Sequence, residues 1–205
     1  MHRIPWDQRL ARVMVRPMAG TSIGPNHLTT LVLLMSLSGA GLFATGDPIL
    51  ANWAAGVFVL SRLLDHFDGE LARLQGVSSR FGYYYDYVAG ALGYGALFLC
   101  IGLAFQDSWL GTWAIVLGMA GCLSALVSMF TNVGIDRQLG EKMDGDTNGY
   151  PSFAGIELED GIYLLAPITW LGMLMPFFIA ASIGATVYFL WSLWTLLRLR
   201  RSSHY

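Results

Sequence analysis

The chain has 205 residues, 55% of them hydrophobic and 13% charged, with a mean hydropathy of +0.52. Soluble domains carry about 25% charged residues, so a water-soluble globular domain is excluded and a polytopic membrane protein, one domain over 1–205, is expected. A formal net charge of −2 leaves no global basic field for nucleic acid. The two cysteines, Cys100 and Cys122, lie in apolar runs and supply neither a disulfide framework nor zinc spacing.

At the N-terminus Trp6, Leu10, Val13 and Met14 recur at helical spacing beside a basic stripe of Arg9, Arg12 and Arg16. This pattern predicts an amphipathic helix lying in the inner headgroup layer. No short apolar core leads to a small-residue cleavage site, so a cleavable signal peptide is not expected. "RP" at 16–17 and "GPN" at 24–26 end this helix. A spanning helix needs about 20 mostly apolar residues, and six such runs follow, near 28–46, 51–72, 83–105, 112–133, 160–178 and 181–198. The last two form one apolar run from Ile162 to Leu197. At about 1.5 Å per residue that run is roughly 54 Å long, too long for one crossing, so a break is expected near Ala180–Gly184. The fold class predicted is therefore all-α, six transmembrane helices behind an N-terminal interfacial helix.

Arginine and lysine placement fixes the expected sidedness. With both termini inside, all twelve basic residues fall in inner segments or at inner helix ends, while the outer turns "TGDPIL" and "FQDSWLG" contain none. That asymmetry predicts cytoplasmic termini in a cell (inner) membrane. The stretch 136–152, "DRQLGEKMDGDTNGYPS", reads as a polar cytoplasmic loop in which Arg137 and Lys142 follow the same positive-inside bias.

Three aspartates stand at the inner end of spans two and three. Carboxylates at membrane depth cost about 2.5–3.5 kcal/mol each at a helix centre and less near the interface, so they must pair or bind something. Asp65 and Asp68 are spaced i, i+3 and share one helix face. Asp86 opens the antiparallel span three and can face them. Arg73 and Arg80 are the cations expected near enough to neutralise the acids. An all-oxygen set of this kind suits a hard divalent cation, Mg2+ first. Gly69 and the small Ala72 leave room for a ligand beside the helix backbone, and Arg73 can clamp a phosphate. Phosphoryl chemistry on a diphosphate and a plain interfacial salt-bridge cluster both fit the residues at this point.

Read as D-x2-D-G-x2-A-R-x8-G-x3-D, the stretch supplies Asp65, Asp68, Gly69, Ala72, Arg73, Gly82 and Asp86. This spacing resembles the signature of the CDP-alcohol phosphotransferase (CDP-alcohol phosphatidyltransferase) family, and "PNHLT" at 25–29 resembles that family's lead-in to its first span. The resemblance implies transfer of a substituted phosphate from a CDP-linked donor, commonly CDP-diacylglycerol, to an alcohol acceptor, with release of CMP. It implies that Asp65, Asp68 and Asp86 ligate Mg2+ or Mn2+, two ions bridging the donor diphosphate. Asp68, Gly69, Ala72, Arg73 and Gly82 then line the nucleotide site. Membrane lipids are the implied surroundings, and a homodimer is left open.

The family pattern continues with x3-D, where it carries a fourth aspartate that ligates the second ion and acts as general base. Here that position is Gly90, and no acid lies at 87–91. Three readings compete: a silent nucleotide- or lipid-binding member, an engineered variant, or an enzyme in which another acid acts. For the last, "GIELEDGIY" at 155–163 offers Glu159 and Asp160 at the expected cytoplasmic mouth of span five, where acids before a helix also have a plain role at its N-terminus. Gly90 also lies among Ala89, Ala91, Gly93 and Gly95, a density of small residues suited to close helix contact. Tyr83, Tyr84, Tyr85 and Tyr87 read as an interfacial aromatic belt. A transporter should place its acids or broken helices near the midplane, and here they collect at one face.

Overall fold

Turn chemistry sets where the helices begin and stop. The computed structural model of the chain describes residues 6–139, 152–153 and 156–202. Helix α1 (Trp6–Val15) passes through a 3-10 turn to α2 (Pro25–Phe43). Pro25 takes the first position of α2, where a missing N–H is tolerated, and His27 Nδ1 accepts the Gly24 N–H at 3.0 Å. Helix α3 (Pro48–Gln75) is capped by Asp47, whose carboxylate accepts the N–H groups of Ile49 and Leu50 at 2.8 and 2.9 Å. It stops at Gly76, which adopts a left-handed conformation with φ +65°. Ser79 Oγ accepts the Gly82 N–H at 3.0 Å and starts α4 (Arg80–Ala104). Then come α5 (Thr112–Leu139), a two-residue antiparallel pair of Ser152–Phe153 with Ile156–Glu157, a 3-10 helix (Leu158–Leu164), α6 (Leu165–Trp170) and α7 (Leu174–Ser202). The architecture is helical as expected. Most of the expected polar loop, with Lys142, lies outside the described residues.

Among the described residues, α2, α4, α5 and α7 are each long and apolar enough to cross a membrane. Helix α3 has 28 residues, but its second half carries Arg62, Asp65, Asp68, Glu70 and Arg73. The expected fifth span and the break near Ala180–Gly184 need correction. The helix breaks at Leu171–Met173 instead, and α7 runs unbroken through 180–184. Gly172 takes the left-handed region, with φ +73°, and Pro176 falls in the first turn of α7, where proline is accommodated. The segment from Leu158 to Trp170 is a seven-residue 3-10 helix followed by six α-helical residues, roughly 23 Å in all and short of a hydrocarbon core of about 30 Å.

Helix α2 packs on both α3 and α4, α4 packs on α5, and α5 packs on α7. Glycines set the α4–α5 seam: a Cβ on Gly102 would lie 2.7 Å from the Ala114 carbonyl oxygen, and one on Gly118 would lie 2.8 Å from that of Phe98. Small residues at such a seam let the backbones approach and gain van der Waals contact. The apolar core, with Phe43, Phe58, Phe98, Leu165 and Phe178, fills the half of the bundle nearest the turns at 44–47, 105–111 and 171–173. Exposed Trp53, Trp109, Trp113 and Trp170 ring that same end, where interfacial tryptophans are enriched. Exposed leucine, valine, methionine and phenylalanine side chains coat the outside of α2, α5 and α7. Helix α1 docks on α3 through buried Ala11 and Val15 against Phe67, leaving Val13 and Met14 exposed.

The position of the break is testable by two glycine substitutions. Gly184 lies inside α7, and a Cβ there would meet nothing within 4 Å, so Gly184→Ala should stabilise the detergent-solubilised protein by about 0.5–1 kcal/mol. Gly172→Ala forces a side chain into the left-handed region and should cost roughly 1–2 kcal/mol. Thermal unfolding of the two variants should therefore move in opposite directions. A loss for Gly184→Ala would return the break to 180–184.

Candidate active site at the polar end of α3 and α4

The backbones of α3 and α4 make almost no close approach, and α2 contacts both. The two helices meet through side chains, with Phe58 edge-on to Tyr94 at 5.9 Å between ring centroids and the Arg62 guanidinium 5.1 Å from the Tyr94 ring centre. Asp65 and Asp68 lie further along α3 than this contact, on the side away from Trp53, Trp109, Trp113 and Trp170.

Asp65 is half-buried and forms an ion pair with Arg62, one turn earlier on α3. Arg62 is itself only 7% exposed. Arg73 and Arg80 are the cations expected near the three acids; for Asp65 the partner is Arg62. Arg73 instead donates from Nη2 to Glu70 Oε1 at 2.8 Å. Glu70 is buried, and Arg12 from α1 reaches it as well, Nε to Oε2 at 3.2 Å. Asp68 is buried and accepts the Thr29 hydroxyl of α2. Thr29 is the last residue of "PNHLT", and Asn26 of the same stretch stands against Gly82, where a Cβ would lie 3.2 Å from its Oδ1. This lead-in is thus part of the wall around the acids.

Asp86 is half-buried at the start of α4 and also interacts within the protein. Gly69 faces the Arg73 guanidinium: a Cβ there would meet only its two terminal nitrogens, each at 3.9 Å. Ala72 is half-buried one turn from Gly69. Glu159 and Asp160 belong to the 3-10 helix that approaches α3, and their side chains lie outside the described residues.

The tyrosines differ from a simple interfacial belt. Tyr83 and Tyr87 donate to one oxygen of Asp136 on α5, at 2.8 and 2.7 Å, and Asp136 is buried. Tyr84 accepts from Arg137 Nη2 at 2.7 Å, and Tyr85 pairs with Thr30 at 2.8 Å. Arg62, Glu70 and Asp136 have no place in the motif. Arg62 lies three residues before Asp65 and Glu70 three before Arg73, so helical spacing alone could have paired them. Asp136 carried no comparable local signal.

The donors of the motif acids are carboxylate oxygens, the chemistry that hard divalent ions prefer. Asp65 keeps one buried oxygen, Oδ1, without a hydrogen bond. In the arrangement observed, no three His, Cys, Asp or Glu side chains among the described residues group closely enough to hold an ion. Asp65 is turned to Arg62 and Asp68 to Thr29. The donor types fit one ion once Asp65 and Asp68 turn inward. Gly90 offers no carboxylate to a second ion and stands beside a cation: a Cβ on Gly90 would have Arg62 Nη1 at 3.9 Å as its one neighbour within 4 Å beyond its own helix turn. Gly90 is thus no tight helix contact. Gly93, whose Cβ would lie 3.0 Å from that of Ser36, is one.

Two crystal structures of Mycobacterium tuberculosis phosphatidylinositol phosphate synthase (PgsA1) resemble this fold. The one with CDP-DAG bound matches with a TM-score of 0.66 and 19% sequence identity, over 93% of each chain. The one in complex with manganese and citrate matches with a TM-score of 0.56 and 20% identity, over 93% of this chain and 88% of that one. No curated protein sequence matches significantly. Residues 22–199 match the profile of the CDP-alcohol phosphatidyltransferase family, a segment that takes in "PNHLT", the aspartate motif and most of α7. The chain belongs to the CDP-alcohol phosphatidyltransferase family.

Proposed function

We propose that the chain transfers a substituted phosphate from a CDP-linked lipid, CDP-diacylglycerol first, to an alcohol, releasing CMP. The observation that carries this reading is the family match over 22–199, with seven motif positions intact. The solved relative with CDP-DAG bound shares the fold, which supports a CDP-lipid donor.

In this reading Asp65, Asp68 and Asp86 hold a divalent ion, Mg2+ or Mn2+, and Thr29 orients the Asp68 carboxylate through its hydroxyl. When bound, the ion withdraws charge from the donor diphosphate and eases departure of CMP. Gly69 and Ala72 keep the α3 surface low for the nucleotide. Arg73, held by Glu70, presents its guanidinium beside Gly69, where a phosphate would come. Gly82 keeps the start of α4 close to Asn26. Without an acid at position 90, the acceptor hydroxyl needs another base, and Glu159 or Asp160 supplies it from the 3-10 helix that approaches α3. The absence of that acid favours one second reading, a member that binds CDP-lipid without turnover.

Arg73, Arg80, Arg137, Arg198, Arg200 and Arg201 lie at the helix ends away from the turns at 44–47, 105–111 and 171–173, which supports a multi-pass protein of the cell membrane with the acids and both termini on the cytoplasmic side. A reporter fused after Tyr205 should then stay inside, and one placed in the 105–111 turn should be outside. Both reporters on one side would overturn this placement.

Release of CMP from CDP-diacylglycerol, followed across a panel of alcohols with Mg2+ or Mn2+, tests the chemistry. Asp68→Asn should lower turnover by 100-fold or more, on the order expected when charge stabilisation at the reacting group is lost. Glu159→Gln or Asp160→Asn should lower it by at least about tenfold with donor binding retained, within the roughly 10²–10⁴-fold range of general-base help. Parental rates in both of these variants would remove the replacement base. A parent that binds donor yet releases no CMP with any alcohol would support the silent reading.

A further inference from the structure

Among the buried charged side chains, Arg62 has no role in the chemistry proposed so far. Arg62 is buried, carries a charge that it cannot lose at any physiological pH, and is held on three sides. It forms an ion pair with Asp65, lies 5.1 Å from the centre of the Tyr94 ring, and stands beside Gly90, the position where the family pattern would carry its fourth acid. Tyr94 is in turn braced by Phe58. A cation in such a setting is costly to desolvate and is kept only with a matching anion.

We propose that Arg62 is a built-in cation of the acidic site, taking the place of a second divalent ion, and that Gly90 supplies the matching clearance. The inference rests on the reading of Asp65, Asp68 and Asp86 as ligands of a divalent ion. Charge balance supports it. Three ionised aspartates carry three negative charges, and one divalent ion with one guanidinium neutralises them. Four aspartates would call for two divalent ions. The absence of an acid at 90 and the presence of a fixed cation at 62 thus balance each other. An aspartate at 90 would also place its carboxylate against Arg62 and draw the guanidinium away from Asp65.

Bound Mn2+ per chain, measured by equilibrium titration and electron paramagnetic resonance on the full-length protein in detergent with saturating CDP-diacylglycerol, tests this. The parent should bind one Mn2+, with the spectrum of isolated ions. Arg62→Lys keeps the charge and should also bind one. The double variant Arg62→Met/Gly90→Asp should bind two, with the broadened spectrum of a spin-coupled pair. Two ions in the parent would overturn the role of Arg62 while leaving the metal reading intact, and this outcome does not depend on any variant folding. A folded double variant that still binds one ion would overturn it too. No Mn2+ in the parent or in any variant would overturn the metal reading itself and the inference with it.

Discussion

Everything at the polar end of this bundle follows from the cost of placing carboxylates among apolar helices. An unsatisfied buried charge is far more expensive than a buried polar group, and Asp65, Asp68, Glu70 and Asp136 each have an identified partner. The donors mostly come from another helix. Glu70 on α3 is reached by Arg12 of α1, Asp68 on α3 by Thr29 of α2, and Asp136 on α5 by Tyr83 and Tyr87 of α4. Satisfying the acids therefore fixes how α1, α2, α4 and α5 stand around this end. Asp65 differs, since its partner Arg62 lies on the same helix.

The opposite end is built on another principle. There, glycines at the α4–α5 seam bring backbones into contact and phenylalanines fill the core. That end is closed and apolar. Helices α3 and α4 make almost no backbone contact and are bridged by side chains. A site carried on rigid helices, with the supporting contacts concentrated at the far end, keeps its geometry while leaving a gap for a ligand.

The aspartate motif was legible because all of its positions fall within one turn and the helix ends beside it, and because charged residues stand out against apolar runs. The run of apolar helices was legible for the same reason. The break before α7 was not. Ala180–Gly184 and Leu171–Met173 are both apolar with small residues, and composition does not register the left-handed conformation of Gly172 or the favourable position of Pro176. Arg62 was missed because the motif starts at Asp65, although the i, i+3 spacing was available. The bonds from Thr29 to Asp68 and from Tyr83 to Asp136 span 39 and 53 residues, and no local pattern marks contacts made by helix packing.

The central claim is that the gap between α3 and α4 receives the diphosphate of a CDP-linked donor, with Asp65, Asp68 and Asp86 on an ion and Arg62 as a fixed cation beside them. A crystal structure with CDP-diacylglycerol and Mn2+, with data recorded at the manganese edge, tests it most directly. The account predicts a single anomalous peak in contact with the three aspartates and the donor diphosphate, with Arg62 still beside Gly90. A donor bound away from these acids, or a second peak beside Gly90 with Arg62 displaced, would contradict it.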